Sequence, residues 1–147
     1  MHVDEYRELN DLIVAGRYPE ALALLAELDA MGRKADRRVL RSLVRVLLVH
    51  LIKRAEAGRS TRSWDRSIAN ARDEIRDENA RETGGTYFSR AELEDLVRSS
   101  WAWSVRNAAV EVARGRYTTR ELEQRVDREA ILAEALALIA GDAAPGD

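Results

Sequence analysis

Cysteine is absent from the 147-residue sequence, and proline and histidine occur twice each. Without cysteine there is neither a disulfide framework nor a Cys-rich zinc site. Of the two histidines, His2 stands at the terminus and His50 is alone inside the chain, so they do not make a metal centre; no metal and no cofactor is expected. A long apolar run is missing as well. The most apolar stretch, Leu43 to Ile52, contains Arg45 and His50 and is too short and too charged to cross a bilayer, so no membrane association is expected. Nowhere do apolar and polar residues alternate over a useful length, which leaves no convincing strand. The serines stand at helix caps or on helices rather than on a strand-to-helix elbow, which argues against a Ser-His-Asp hydrolase. Met1 to Asp11 is acidic rather than a basic lead into an apolar run, so no signal peptide is expected and the location is read as cytoplasmic.

What remains is rich in Ala, Leu, Glu, Arg and Lys, which supply 79 residues and give the composition of long amphipathic helices. The fold expected is all-α: a single-domain bundle of about six helices over residues 1–140, with residues 141–147 as a flexible tail. Apolar spacing places helices at about Val3–Ala15, Pro19–Met31, Lys34–Ala57, Thr61–Glu82, Arg90–Arg114 and from Thr119 onward. Gly16, Gly32 and Gly115 mark ends, and Ser89-x-x-Glu92 and Thr118-x-x-Glu121 read as capping boxes. The third of these helices is expected to be central. Around Leu40 on a helical wheel, Leu43, Val44, Leu47 and Leu51 cluster, and Val39, Val46, Leu48 and Ile52 widen the apolar arc beyond half the circumference. The repeated tetrapeptide Ala15-Gly16-Arg17-Tyr18 and Arg114-Gly115-Arg116-Tyr117 reads as two helix corners with a tyrosine packed over each turn.

Charge is unevenly distributed. Residues 1–32 have a net charge of −5, residues 33–76 carry 13 basic and 5 acidic groups for a net +8, and residues 77–147 return to −5. Twenty-two of the cations are arginine, whose planar fork grips carboxylate and phosphate. Arg37, Arg38, Arg41 and Arg45 fill the polar sector of the central helix, and Arg62 and Arg66 follow on the next. Like charges at this spacing repel, so the stripe calls for acidic neighbours within the bundle or for an external anion. Arg37, Arg41, Arg62 and Arg66 are accordingly the candidate anion-binding residues, for an acidic protein or a nucleic acid. His50 lies at the margin of the apolar arc and is expected to be half-buried and bonded to a neighbouring helix. Trp101 faces inward and Trp103 stands near the edge, where it packs or stacks on a partner.

Arg45 to His50 resembles the Arg-x(4–6)-His pattern of the HEPN ribonucleases, small helical bundles that cleave RNA without metal. The resemblance implies that His50 moves the proton of the 2′-hydroxyl while Arg45 holds the phosphate. Val46 departs from the polar residue that usually follows the arginine. Five residues of helix also turn the two side chains about 140° apart, so a second helix or a second subunit of a homodimer must bring them together.

A wider likeness is carried by Leu28, Met31-Gly32-Arg33, then Leu40-x-Ser42-x-x-Arg45-x-Leu47-Leu48-x-His50-Leu51-x-Lys53, then Arg62-Ser63-Trp64-x-x-Ser67-Ile68-x-x-x-Arg72-x-Glu74-Ile75. Over residues 9–76 the chain resembles the bacterial domain-of-unknown-function family number twenty-nine. The resemblance implies an all-helical bundle, no established reaction, and a recurring cluster of His50, Lys53, Trp64 and Arg72. Arg54-Ala55-Glu56-Ala57 replaces an aromatic-rich stretch usual in that family, and beyond Asn79 the likeness fades. The reading is a non-enzymatic binding module, with the ribonuclease as its alternative and internal neutralisation of the arginines as the third course.

Overall fold

A computed structural model of the chain describes residues 3–141; His2 and the tail residues 142–147 lie outside the described residues. The fold is all-α. Seven α-helices occur among the described residues: α1 (Val3–Val14), α2 (Tyr18–Ala57), α3 (Arg62–Asn79), α4 (Arg90–Ser99), α5 (Trp101–Glu111), α6 (Thr119–Arg125) and α7 (Arg128–Ala140). The only strand-like feature among them is an isolated bridge between Ala80 and Thr86. The chain divides into two compact units, Met1–Val39 and Leu40–Asp147.

In the first unit, α1 ends in a Schellman motif. Gly16, two residues past Val14, takes φ +73°, and its amide and that of Arg17 bond back to the carbonyls of Ile13 and Leu12. Arg17 and Glu20 then pair at 2.5 Å across the first turn of α2. Ala21 and Leu28, one heptad apart and thus on one face, are buried, whereas Tyr6, Ile13, Tyr18, Leu22 and Leu25 are exposed. Tyr18 at 61% exposure corrects the expectation that it packs over its turn. The expected break at Gly32 is also corrected, because α2 runs through it. Gly32 keeps negative φ, and Ala30, Met31, Lys34 and Ala35 around it are strong helix formers that absorb the roughly 1 kcal/mol a mid-helix glycine costs.

In the second unit the central role of residues 40–57 is clear. Leu40, Val44, Leu47, Leu48, Leu51 and Ile52 are each at most 1% exposed and belong to one core with Ile68 and Ile75 of α3, Trp101 and Val105 of α5, and Ile131 and Ile139 of α7. Each such side chain contributes roughly 1.5–3 kcal/mol by leaving water. Val46 at 44% exposure, and Val39 at 46% in the first unit, stand outside the apolar arc expected for them.

Both capping boxes form. The Ser89 hydroxyl accepts from the Glu92 amide at 3.2 Å and Thr118 from that of Glu121 at 3.1 Å, with each glutamate reaching back to its cap. The single helix expected over 90–114 is divided at Ser100, whose hydroxyl donates to the Leu96 carbonyl at 2.7 Å, while Ser104 repeats the pattern on Ser100 at 2.8 Å. Buried serines bonding back one turn satisfy themselves at the cost of bending the ladder. A further break follows Arg125, where Asp127 caps α7 by accepting from Ala130 at 3.1 Å.

Between α5 and α6 the backbone makes a left-handed turn. Ala113 (φ +49°), Arg114 (φ +59°) and Gly115 (φ +73°) occupy the left-handed region in succession, although only the last is glycine. Tyr117 packs against the core just beyond, beneath the Arg125 guanidinium at 4.5 Å from its ring centre.

Candidate interaction surface

The cations on the flank of residues 40–57 separate into two groups by what they touch. Lys53 is 16% exposed and pairs with Glu111 of α5 at 2.8 Å. Arg54 donates to Glu134 of α7, and Glu56 faces Arg125 at 3.8 Å. Arg72 on α3 pairs with its neighbour Asp73 at 3.0 Å, and Arg76 donates from Nε to the Leu138 carbonyl at 2.7 Å. Lys53, Arg54, Arg76 and Arg125 thus tie helices together, whereas the Arg72 pair stays within α3.

Arg41, Arg62 and Arg66 are different. All three are exposed, and among the described residues none has a hydrogen bond or an ion pair. Arg37, in the first unit, is exposed but engaged within the protein. Arg45 leaves the stripe altogether: it is half-buried, with its guanidinium 4.8 Å from the centre of the Trp103 ring and its Nε buried without a hydrogen-bond partner.

His50 is half-buried as expected, but its bond is to its own helix. Nδ1 lies 2.9 Å from the Val46 carbonyl, which can only accept, so Nδ1 carries a proton. No hydrogen bond links His50 to Arg45. The cluster of Lys53, Trp64 and Arg72 is likewise not joined by direct bonds: Lys53 faces α5, Arg72 faces Asp73, and Trp64 supplies its amide to the Thr61 cap at 3.1 Å.

The partners of Arg45 and Lys53 escaped the reading of the chain. Both contacts reach α5, and Arg45–Lys53 and Trp103–Glu111 have the same eight-residue step, so the two helices run side by side in the same direction along this seam. That equal step is the one signal present in the sequence, and it has meaning only once the two helices are known to be neighbours. Between these contacts Asn107 donates to its own helix, to the Trp103 carbonyl at 2.7 Å.

A second ionic cluster joins α4 to α7. Arg98 grips Glu129 with two nitrogens at 3.0 and 3.3 Å and reaches Glu94 at 3.4 Å. The hydrogen bond to Arg98, followed by the Arg98 charge, holds the Glu129 carboxyl below the usual carboxylate range. Among the described residues no group of three or more His, Asp or Glu side chains is placed to hold a metal ion, and no helix is long and apolar enough to cross a membrane.

No curated protein and no solved structure matches the chain. A family model does: it begins at residue 20 rather than 9 and, correcting the expectation that the likeness fades beyond Asn79, continues through α4 and α5, so it includes Trp103 and Glu111 as well as Arg45 and Lys53. The chain belongs to the family described as Domain of unknown function DUF29, whose model matches residues 20–113.

Proposed function

We propose that the protein is a non-enzymatic interaction module of the bacterial cytoplasm that engages an acidic protein surface through Arg41, Arg62 and Arg66. One observation carries this reading. Those three guanidinium groups are exposed and meet no carboxylate among the described residues, while the half-buried cations Lys53 and Arg54 are taken up by Glu111 and Glu134. Internal neutralisation therefore accounts for part of the basic segment and leaves the outermost arginines available. A protein is favoured over a nucleic acid because Tyr6, Ile13, Tyr18, Leu22 and Leu25 are exposed on the first unit. Apolar side chains clustered on a surface suit a protein partner and have no counterpart on a phosphate backbone.

The test is titration of the full chain with poly-L-glutamate and with single-stranded RNA across a range of salt. Binding to poly-L-glutamate that weakens with salt, and falls at least tenfold in the triple variant Arg41→Gln, Arg62→Gln, Arg66→Gln, is the expected result. Equal affinity of the variant overturns the assignment, and preference for RNA replaces the acidic protein by a nucleic acid.

One observation supports a ribonuclease instead: the Nδ1 contact of His50 selects the tautomer whose neutral ring offers Nε2 to a proton, the nitrogen a general base would use. Against it, Arg45 is turned onto Trp103 rather than toward His50. RNA cut in the presence of a chelator, and spared by a His50→Ala variant of unchanged helicity, would establish that activity. RNA left intact by the pure protein would remove it.

A further inference from the structure

A cavity of about 350 Å³ opens where the start of α4, the end of α7 and the loop after α3 meet. Its apolar wall is formed by Leu93, Ile139 and Ala140, and its polar side chains are Asn79, Thr86 and Arg90. Two of these are committed. The buried Asn79 amide accepts from the Phe88 N–H at 2.8 Å and donates to the Phe88 carbonyl at 3.3 Å, and the Thr86 hydroxyl donates to the same carbonyl at 2.8 Å.

Arg90 is not. Its one hydrogen bond among the described residues runs from Nη1 to the Gly141 carbonyl at 3.4 Å, long for such a bond. Among the described residues no carboxylate pairs with it; Glu94, one turn along α4, is bonded to Arg98 instead. A guanidinium has five donors, so most of Arg90's lack a partner among the described residues, on a half-buried side chain beside an apolar wall. The space is open on the opposite side as well, since a Cβ built at Gly85 meets nothing within 4 Å.

The geometry points to a binding site for a small monocarboxylic acid, with its carboxylate on Arg90 and a short apolar arm against Leu93, Ile139 and Ala140. A planar fork matches a carboxylate through two parallel hydrogen bonds, and partial burial strengthens such bonds relative to water. The volume lies in the range of small-molecule sites, which are mostly apolar with few polar groups to set orientation. Arg90 is the one cation lining the cavity among the described residues, which suits one negative charge rather than a dianion.

The experiment is titration of the full, ¹⁵N-labelled chain with octanoate, with 1-octanol and inorganic phosphate as comparisons. Octanoate is expected to give saturable shifts at the Gly85, Thr86 and Gly141 amides and at the Arg90 side chain. Arg90→Met should weaken octanoate at least tenfold and bring it to the level of octanol. Because Arg90 also touches the end of α7, Arg90→Lys serves as a second variant: it keeps the charge and loses the fork, and should bind with intermediate affinity. Ala140→Phe fills the cavity and should abolish binding of both molecules with helicity retained. Octanoate that leaves these groups unmoved at millimolar concentration, binds Arg90→Met undiminished, or binds no better than octanol or phosphate overturns the proposal.

Discussion

The guanidinium of Arg45 lies 4.8 Å from the centre of the Trp103 ring, and its Nε is buried there without a hydrogen-bond partner. The stack contributes about 0.5–2 kcal/mol, and the unmet donor costs about 1–3 kcal/mol. The two nearly offset, so Arg45→Met, which keeps the packing and drops the donor, should change stability in urea unfolding by less than about 1 kcal/mol. Trp103→Ala empties the same place and should cost about 2–3 kcal/mol. A loss of more than 2 kcal/mol for Arg45→Met would mean that the charge itself holds this seam.

Asn79 is a second place where one side chain carries more than its size suggests. Its amide satisfies both backbone groups of Phe88, at 2.8 and 3.3 Å, in a position 3% exposed. Asn79→Leu removes the side-chain acceptor of the Phe88 N–H, while the Phe88 carbonyl keeps the Thr86 hydroxyl at 2.8 Å, and should destabilise by about 1–3 kcal/mol, against under 1 kcal/mol for an exposed site such as Asn70→Leu. Equal effects of the two substitutions would show that water reaches Phe88.

The left-handed turn is strained at two residues that are not glycine. Ala113 at φ +49° and Arg114 at φ +59° each bear about 1 kcal/mol of steric cost. Arg114→Gly should raise the unfolding midpoint slightly, by an amount equivalent to at most about 1 kcal/mol once the freer unfolded chain is counted. Gly115→Ala should lower it by about 1 kcal/mol, because φ is +73° and the new Cβ would lie 3.4 Å from the Val110 carbonyl.

Glu129 supplies a pH dependence of known sign. Its carboxyl is held below the usual range by Arg98, so the folded state favours the ionised form. The resulting stability is fully present above the ordinary glutamate value and is lost as pH falls through the lowered one. Wild type should therefore lead Glu129→Gln in urea midpoint at neutral pH and converge on it as pH falls through the lowered value, with a gap that narrows in salt because the pair is solvent-exposed. A gap that widens on acidification would contradict the pairing.

Much of the helical framework is legible from short-range chemistry. Ser89 and Thr118 cap their helices because a hydroxyl reaches an amide three residues on, and Gly16 ends α1 because only glycine enters that conformation without cost. Such signals act within one turn and need no knowledge of the rest. Gly32 shows their limit, since the same residue type inside a run of strong helix formers ends nothing. Ser100 and Asp127 show another: both are ordinary helix-surface residues in the pattern, and the structure uses one to bend a buried helix and the other to start a new one.

From the sequence alone come the all-α class, the caps and the identity of the central helix, because hydrophobic periodicity and capping are local. Which arginines remain available was decided only by the tertiary structure. Arg54 and Glu134 are 80 residues apart, and Arg45 meets Trp103 across two helices, so charge that looks continuous along α2 is partly spent on residues that no local pattern connects to it. Pairing and burial depend on distance in space, and only the packed chain sets that distance.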